Sequence, residues 1–424
     1  MIKKNILVFP CGSEVGLEIF RSLEHSIHFN LIGANSVDDH GKFVFKNYIG
    51  NIPFATEANF IDEMCKIVSE KKIDAIYPAM DSVIAILKQN EEKLGCTVIS
   101  SDVETTEICL SKSKTYTKLQ GIVKVPGTFS RLDEVDSYPV FLKPDIGYGS
   151  RGALMSSSRE ESEQHIAKYP NTLICEFLSG REYTIDCFTD FNGDLLFFGP
   201  RQRKRISNGI SVNTSTMSER TRFREIAKKI NDKLSFNGAW FFQVKENEER
   251  ELILLEVASR MGGSSAVYRA KGINFASLSV FNAFKMPVSI LENPYEVEMD
   301  RALNNRYKLN ISFQHIYVDF DDTLIVDEKV NSRLIGVLYE FLNEGKKLYL
   351  ITKHTHDIHE SLKKYRLDGL FDIIYHLDPS DIKSKFIAHE DAIFIDDSFS
   401  ERKGILKSLD LPVFSVDMIE TLEN

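Results

Sequence analysis

The chain has 424 residues, 43% of them hydrophobic and 27% charged, which is enough for two or three cores and too apolar for a chain dominated by disorder. A formal net charge of −10 argues against nucleic acid or an anionic membrane as the main partner and leaves room for a small ligand held in a local pocket. Six cysteines stand apart, with no Cys-x-x-Cys pair and no His at zinc spacing, so reduced thiols and a cytoplasmic home are expected.

The N-terminus, MIKKNILVF, is apolar only as far as Pro10 and Gly12, too short a run for a signal peptide, and no later stretch is long enough to span a bilayer. Residues 1–105 alternate strand and helix patterns: NILVF, a glycine turn from Gly12 to Gly16, GLEIFRSLE, FNLIGA, ANFIDEMCKIVSEK and AIYPAM. This order predicts a parallel α/β sheet. Gly12 and Gly16 fall short of the full dinucleotide fingerprint, and close strand-to-helix packing is the simpler reading of the turn. Asp81, in PAMDS, falls at a strand end, where it either faces a ligand or caps the next helix.

Between residues 106 and 305 the character changes to hairpin-like strands, more glycine and the basic run RQRKR. YPVFLKPDIGYGSRGALM reads as a strand carrying Lys143, a turn with Gly147, Gly149, Ser150, Arg151 and Gly152, and a second strand. A glycine-rich hairpin can close backbone N–H groups over a polyphosphate while a strand lysine beneath neutralises it. SKSKTYTKL precedes this hairpin, and LICEFLSGREYTIDCF and WFFQVKENEERELILLEVASRMGG follow, supplying Glu176, Glu182, Gln243 and Glu256. Those residue types suit ribose hydroxyls and Mg²⁺.

Taken in order, these stretches resemble the ATP-grasp superfamily, in particular its carbamoyl-phosphate-synthetase-like and carboxylate–amine ligase branch. The resemblance covers residues 1 to about 305, with 1–105 as the preceding α/β domain and 106–305 as the ATP-grasp domain. It implies Lys112 and Lys143 on the ATP phosphates, Gly147 to Gly152 as the lid, Glu176, Phe177 and Leu178 as the adenine hinge, and Glu182 on the ribose. Gln243 and Glu256 would hold Mg²⁺, which Mn²⁺ can replace, and Arg203 and Arg260 would stabilise the transferred phosphoryl group. Arg201 is an equal candidate to Arg203, and a solvated basic face is the other reading of RQRKR. The chain departs from the family where Glu256 is followed by Val257, Ala258, Ser259 and Arg260. Ala258 stands where the family has an Asn that helps to hold a metal, and a methyl group cannot do so. Ser111 likewise replaces the family's Asp before Lys112. The implied activity is ligation of a small carboxylate to an amine with conversion of ATP to ADP.

PYEVEMDRALNNRYK is polar and aperiodic, so it is the expected junction to a third domain at 310–424. There HIYVDFDDTLI carries Asp319, Asp321 and Thr323 to a strand tip, KKLYLITKH ends near Thr352, DIKSKFI holds Lys383, and AIFIDD ends in Asp396 and Asp397. Crowded carboxylates repel one another and are stable around a hard divalent cation. In this order the residues resemble the four motifs of the haloacid-dehalogenase-like phosphohydrolases. The resemblance implies Asp319 as nucleophile, Asp321 as general acid and then base, Thr352 and Lys383 on the phosphoryl oxygens, and Asp319, the Asp321 carbonyl and Asp396 on Mg²⁺. Lys385 competes with Lys383 for its role. The gaps between motifs are too short for a cap domain, which predicts an open cleft at the strand ends unless the front domains act as its lid. The resemblance implies a phosphorylated metabolite as substrate. The chain as a whole is thus expected to be an α/β and α+β multidomain enzyme. Two readings of its function stand at this point: a ligase fused to a phosphatase, or a phosphatase with a weakly catalytic nucleotide-binding module.

Overall fold

Hydrophobic strands in this chain fall into two sets, and each set closes its own core. The computed structural model describes residues 3–147, 149, 151–207, 210–302, 307 and 309–423. The chain divides into two compact units, Met1–Leu303 and Asn304–Asn424.

The first unit opens with β1 (Lys4–Phe9), β2 (Phe29–Ala34), β3 (Tyr48–Ile49), β4 (Ala75–Pro78) and β5 (Thr97–Val98). They form a wholly parallel sheet in the order β3-β2-β1-β4-β5. Both faces are covered, which is why Ile6, Leu7 and Val8 are consecutive apolar residues with no exposed area. The glycine turn serves packing: a Cβ on Gly16 would lie 2.6 Å from the carbonyl oxygens of Pro10 and Cys11. Ser13 caps the helix Glu14–Leu23 by accepting from the Gly16 N–H at 3.0 Å. Sheet order reverses between β1 and β4, so the crevice beyond their C-terminal ends is where such a sheet presents groups to a ligand.

Two antiparallel sheets follow. The smaller contains β6 (Thr128–Phe129), β7 (Val140–Pro144), β8 (Leu154–Ser156) and β9 (Thr172–Glu176) in the order β6-β9-β7-β8. The larger contains β10 (Glu182–Thr189), β11 (Leu195–Ser207), β12 (Ile210–Thr216), β13 (Gly238–Glu246), β14 (Leu252–Ala258) and β15 (Glu298–Asp300), ordered β14-β13-β10-β11-β12-β15. Alternation sets its two faces. Tyr183, Ile185 and Cys187 pack with Trp240, Phe242 and Val244 into one core, with the Phe236 ring stacked 4.0 Å from Trp240. Glu182, Thr184, Arg201, Arg203 and Gln243 take the opposite face. Part of the segment read as a junction is thus a strand: Glu298–Asp300 pairs with β12, and Arg205 grips Asp300 at 2.7 Å.

The second unit is a parallel sheet ordered β20-β19-β16-β21-β22, from β16 (His315–Val318), β19 (Lys347–Thr352), β20 (Ile373–His376), β21 (Ala392–Ile395) and β22 (Val413–Phe414). A small hairpin, β17 (Ile325–Val326) with β18 (Lys329–Val330), and the helix Ser332–Asn343 are the only elements between β16 and β19 among the described residues.

Candidate active sites

In the first unit, strand register delivers the polar face of the large sheet to one trough. Tyr183 pairs with Gln202 and Thr184 with Arg201 on one side of β10, while Thr184 pairs with Gln243 and Gln243 with Glu256 on the other. Glu182 therefore faces Arg203 across the ladder, and the two form an ion pair. The expectation assigned these two residues to different parts of a nucleotide; the structure joins them directly. Arg201 is buried and donates to Asp186 from Nε at 2.6 Å and from Nη2 at 3.4 Å.

Lys143 enters the trough from β7 and is 7% exposed. Its ammonium donates to the Tyr116 hydroxyl at 2.6 Å, and that hydroxyl donates to the Leu255 carbonyl at 2.6 Å. Burial pushes the Lys143 pKa down from its ordinary value, with Glu256 and Glu182 among the groups that oppose the shift. Among the described residues no carboxylate is in hydrogen-bond contact with this buried ammonium, an environment that suits an anion. Lys112 begins the helix Lys112–Leu119, and its Nζ lies 3.3 Å from the Asp145 carbonyl oxygen. Ser111 caps that helix and also donates to the Asp145 carboxylate at 2.8 Å, so the replacement of Asp by Ser keeps the helix end tied to the strand that carries Lys143.

Three cavities run together here. One of about 70 Å³ is lined by Phe141, Cys175, Glu176, Phe177, Leu178 and Lys245. It shares Lys143, Glu182 and Leu255 with a second of about 190 Å³, which adds Lys112, Gly147, Gly149, Arg151, Arg203, Gln243 and Glu256. Glu176 spends its side chain locally, accepting from the Gly127 N–H at 3.0 Å. A third cavity of about 410 Å³ shares Arg203, Gln243 and Glu256 with the second and reaches Glu14, Asp81, Arg201 and Arg260. Asp81 caps nothing: it is the first residue of its helix, and Oδ2 accepts from Arg260 Nε at 2.9 Å and Nη2 at 2.7 Å. Glu14 and Asp81 bring the β1–β4 crevice to the large sheet, a contribution from Glu14 that the sequence reading missed. Gly152 has φ +70° in the hairpin; Ser150 lies outside the described residues. Two larger grooves, of about 800 and 590 Å³, lie elsewhere on this unit and contain none of these residues.

In the second unit, Asp319 and Asp396 follow the central strands β16 and β21, on either side of the sheet's reversal point. The Lys383 ammonium sits between them, 2.6 Å from Asp319 and 2.7 Å from Asp396, whereas Lys385 is exposed. Burial raises the Asp319 pKa to about 7; Lys383 opposes this and the neighbouring Asp396 adds to it. Burial likewise raises the Asp396 pKa. Oxygens of Asp319, Asp396 and Asp397 lie within 4.8 Å of one another, a donor set that fits a hard divalent cation. Asp397 thus joins the cluster, while the Asp321 side chain turns to His354, whose Nδ1 is 2.9 and 3.0 Å from its two oxygens. Thr323 accepts from the Asp397 N–H at 2.9 Å, and Thr352 is fully buried and accepts from the His354 N–H. No cap interrupts the motifs among the described residues, as the spacing predicted. The expected open cleft at Asp319 and Asp396 is not seen: they are 6% and 1% exposed, with the Lys383 ammonium packed between them.

Residues 168–311 match the family model described as ATP-grasp in the biosynthetic pathway with Ter operon. Over 104 residues the chain is 28% identical to D-alanine–D-alanine ligase of Fusobacterium nucleatum; the match spans 24% of this chain and 35% of that enzyme. Among solved structures, N5-carboxyaminoimidazole synthetase from Staphylococcus aureus complexed with ADP is similar with a TM-score of 0.60 at 14% identity, over 71% of this chain and 83% of that one. L-amino acid ligase from Bacillus licheniformis is similar with a TM-score of 0.56 at 19% identity, over 68% and 75%. The chain contains an ATP-grasp domain. No helix of the described residues is long and apolar enough to cross a membrane.

Proposed function

We propose that this protein is a bifunctional enzyme, an ATP-dependent carboxylate–amine ligase joined to a Mg²⁺-dependent capless phosphatase. The observation that carries the ligase half is the continuous trough. Its narrow apolar end at Phe177 and Leu178 suits an adenine, Lys143 and Lys112 suit the phosphates, and the chamber beyond Glu256 suits the acceptor. Gln243 and Glu256 fit a divalent cation, which would screen the phosphate charge. D-alanine–D-alanine ligase and L-amino acid ligase both join carboxylates to amines, which supports the same reaction class here. In that class the substrate carboxylate attacks the γ-phosphorus, ADP leaves, and an amine displaces phosphate from the acyl-phosphate to form an amide. Arg203 and Arg260, which line the chamber, would then offset the negative charge that builds.

A second reading has one observation in its favour. Ala258 closes β14 two residues after Glu256 and offers no side-chain oxygen, so a cation there would lack the ligand that the family's Asn implies. On that reading the first unit binds nucleotide with little turnover, and the phosphatase is the main activity. The deciding measurement is ADP release by the full chain with Mg²⁺ and ATP, screened over small carboxylates, amino acids included, with an added amine. Release that needs both acid and amine supports the ligase. Nucleotide binding with no such release across the screen favours the second reading.

For the second unit, the reading is hydrolysis of a phosphomonoester through an aspartyl-phosphate on Asp319. Lys383 and Thr352 would hold the phosphoryl oxygens, and Asp319, Asp396 and Asp397 would hold Mg²⁺, which would offset the phosphoryl charge.

A further inference from the structure

Resting on the phosphatase reading, we propose that His354 is the residue that positions Asp321 for proton transfer. Asp321 is half exposed and follows a strand tip, a place where a carboxylate is free to rotate among several rotamers. His354 removes that freedom. Its ring is largely buried, and Nδ1 lies within hydrogen-bond distance of both Asp321 oxygens. An ionised carboxylate can only accept, so Nδ1 then carries a hydrogen, and in the neutral ring Nε2, 2.9 Å from the Ser361 hydroxyl, is left to accept from it. Both the ring and the backbone of His354 are held. Phe320 packs edge-on at 4.8 Å, the His354 N–H donates to Thr352 at 3.2 Å, and the His354 carbonyl accepts from His376 at 2.7 Å.

The chain Ser361, His354, Asp321 therefore orients the acid from the helix Ile358–Lys364 and the loop that follows β19. Such orientation matters twice in one turnover. Asp319 attacks phosphorus, the bond to the leaving oxygen breaks with its electron pair, and that oxygen takes the proton from Asp321. Water then attacks phosphorus and gives its proton to Asp321, while the acyl-phosphate bond cleaves and its electron pair returns to Asp319, releasing phosphate. A misaligned Asp321 slows the first step only when the leaving group needs a proton, but slows the second step for every ester.

The test compares an aryl phosphate, 4-nitrophenyl phosphate, with an alkyl phosphate, glycerol phosphate, on the full chain with Mg²⁺. His354→Ala should lower turnover of the alkyl ester by about 10²-fold, within the usual span for general acid–base assistance. With the aryl ester it should leave the first step within a few-fold and show a burst of nitrophenol as phosphoenzyme accumulates. His354→Asn, whose amide N–H can stand in for Nδ1–H, should recover much of the alkyl rate, and Ser361→Ala should show a weaker form of the alanine pattern. If His354→Ala does not fold, Ser361→Ala carries the comparison. Equal slowing of the first step for both esters, or an asparagine variant no better than alanine, would overturn the assignment. Should the wild-type chain hydrolyse neither ester, the phosphatase reading falls and this assignment falls with it.

Discussion

At the scale of single residues, the electrostatics of Asp319 make a measurable statement about metal binding. Its carboxyl is raised to about 7, chiefly by burial, so the neutral form is favoured below that value and the ionised form above it. A hard cation binds the ionised form, so Mg²⁺ must displace a proton from Asp319 at acidic pH and need not do so at alkaline pH. The affinity for Mg²⁺ should therefore rise as pH increases from 5.5 to 7.5 and level off beyond about 8. Calorimetric titration of the full chain with Mg²⁺ in the absence of nucleotide, run in buffers of different ionisation enthalpy, would show proton release at pH 6 and little at pH 8.5. Release that is absent at pH 6, or that is the same in wild type and Asp319→Asn, would remove Asp319 from the metal site. Lys383 offsets the repulsion between these carboxylates: its ammonium bridges Asp319 and Asp396 and is drawn above its ordinary pKa against the effect of burial.

Elements carry the geometry, and here one carboxylate joins two of them. Asp145 follows β7, and its oxygens accept from the Ser113 N–H at 2.7 Å and the Ser111 hydroxyl at 2.8 Å, fastening the N-terminus of the helix Lys112–Leu119 to the strand of Lys143. Burial alone would raise its pKa, but these hydrogen bonds and Lys112 outweigh burial and leave it below 3.8. A depressed carboxylate stabilises the fold at all pH above its unfolded value and loses that contribution as pH falls through its folded value. Asp145→Ala should cost about 1 kcal/mol at pH 7, the usual range for a lost helix-terminal acceptor. In urea melts the gap from wild type should hold down to pH about 4 and narrow below it. A gap that grows on acidification would contradict the sign. Much at this scale was legible beforehand. FNLIGA is β2 to the residue, and β7, which carries Lys143, β19, which ends at Thr352, and β21, which ends at Ile395 just before Asp396, fall where alternation and buried runs placed strands. Glu298–Asp300 was not legible, since a three-residue edge strand held by Arg205 and Asn213 has no apolar period to read. Nor was the pairing of Glu182 with Arg203, or of Asp81 with Arg260. Both depend on register or on contacts far apart in sequence, which no local pattern encodes. His354 carried a faint signal, two residues beyond Thr352 in the same strand motif, but nothing in the sequence shows that its ring reaches back to Asp321.

Across the whole molecule, each unit has its own cores and its own candidate site. The cores around β1, β4 and β10 draw only on the first unit, and those around β16 and β21 only on the second. Lys143 contributes to the trough, and Asp319 contributes to the carboxylate cluster. If the two sites work as assigned, the chemistry should separate cleanly by mutation. Binding of a ligand to the native state alone stabilises it by about 2.7 kcal/mol at a hundredfold excess over Kd, so saturating Mg-ATP should raise the melting temperature of the first unit by several degrees. Lys143→Ala removes the ammonium that the phosphates would neutralise and should abolish the shift while leaving Mg²⁺-dependent hydrolysis of a phosphomonoester within twofold. Asp319→Asn removes the attacking carboxylate and should abolish hydrolysis while keeping the Mg-ATP shift. Thermal melts with and without Mg-ATP, paired with hydrolysis assays on the same three proteins, give all four readings. Wild-type hydrolysis by Asp319→Asn would sink the phosphatase assignment, and an undiminished ATP shift in Lys143→Ala would sink the nucleotide assignment. Loss of both activities in either variant would mean that the two sites depend on one another, which the division into separate cores does not predict.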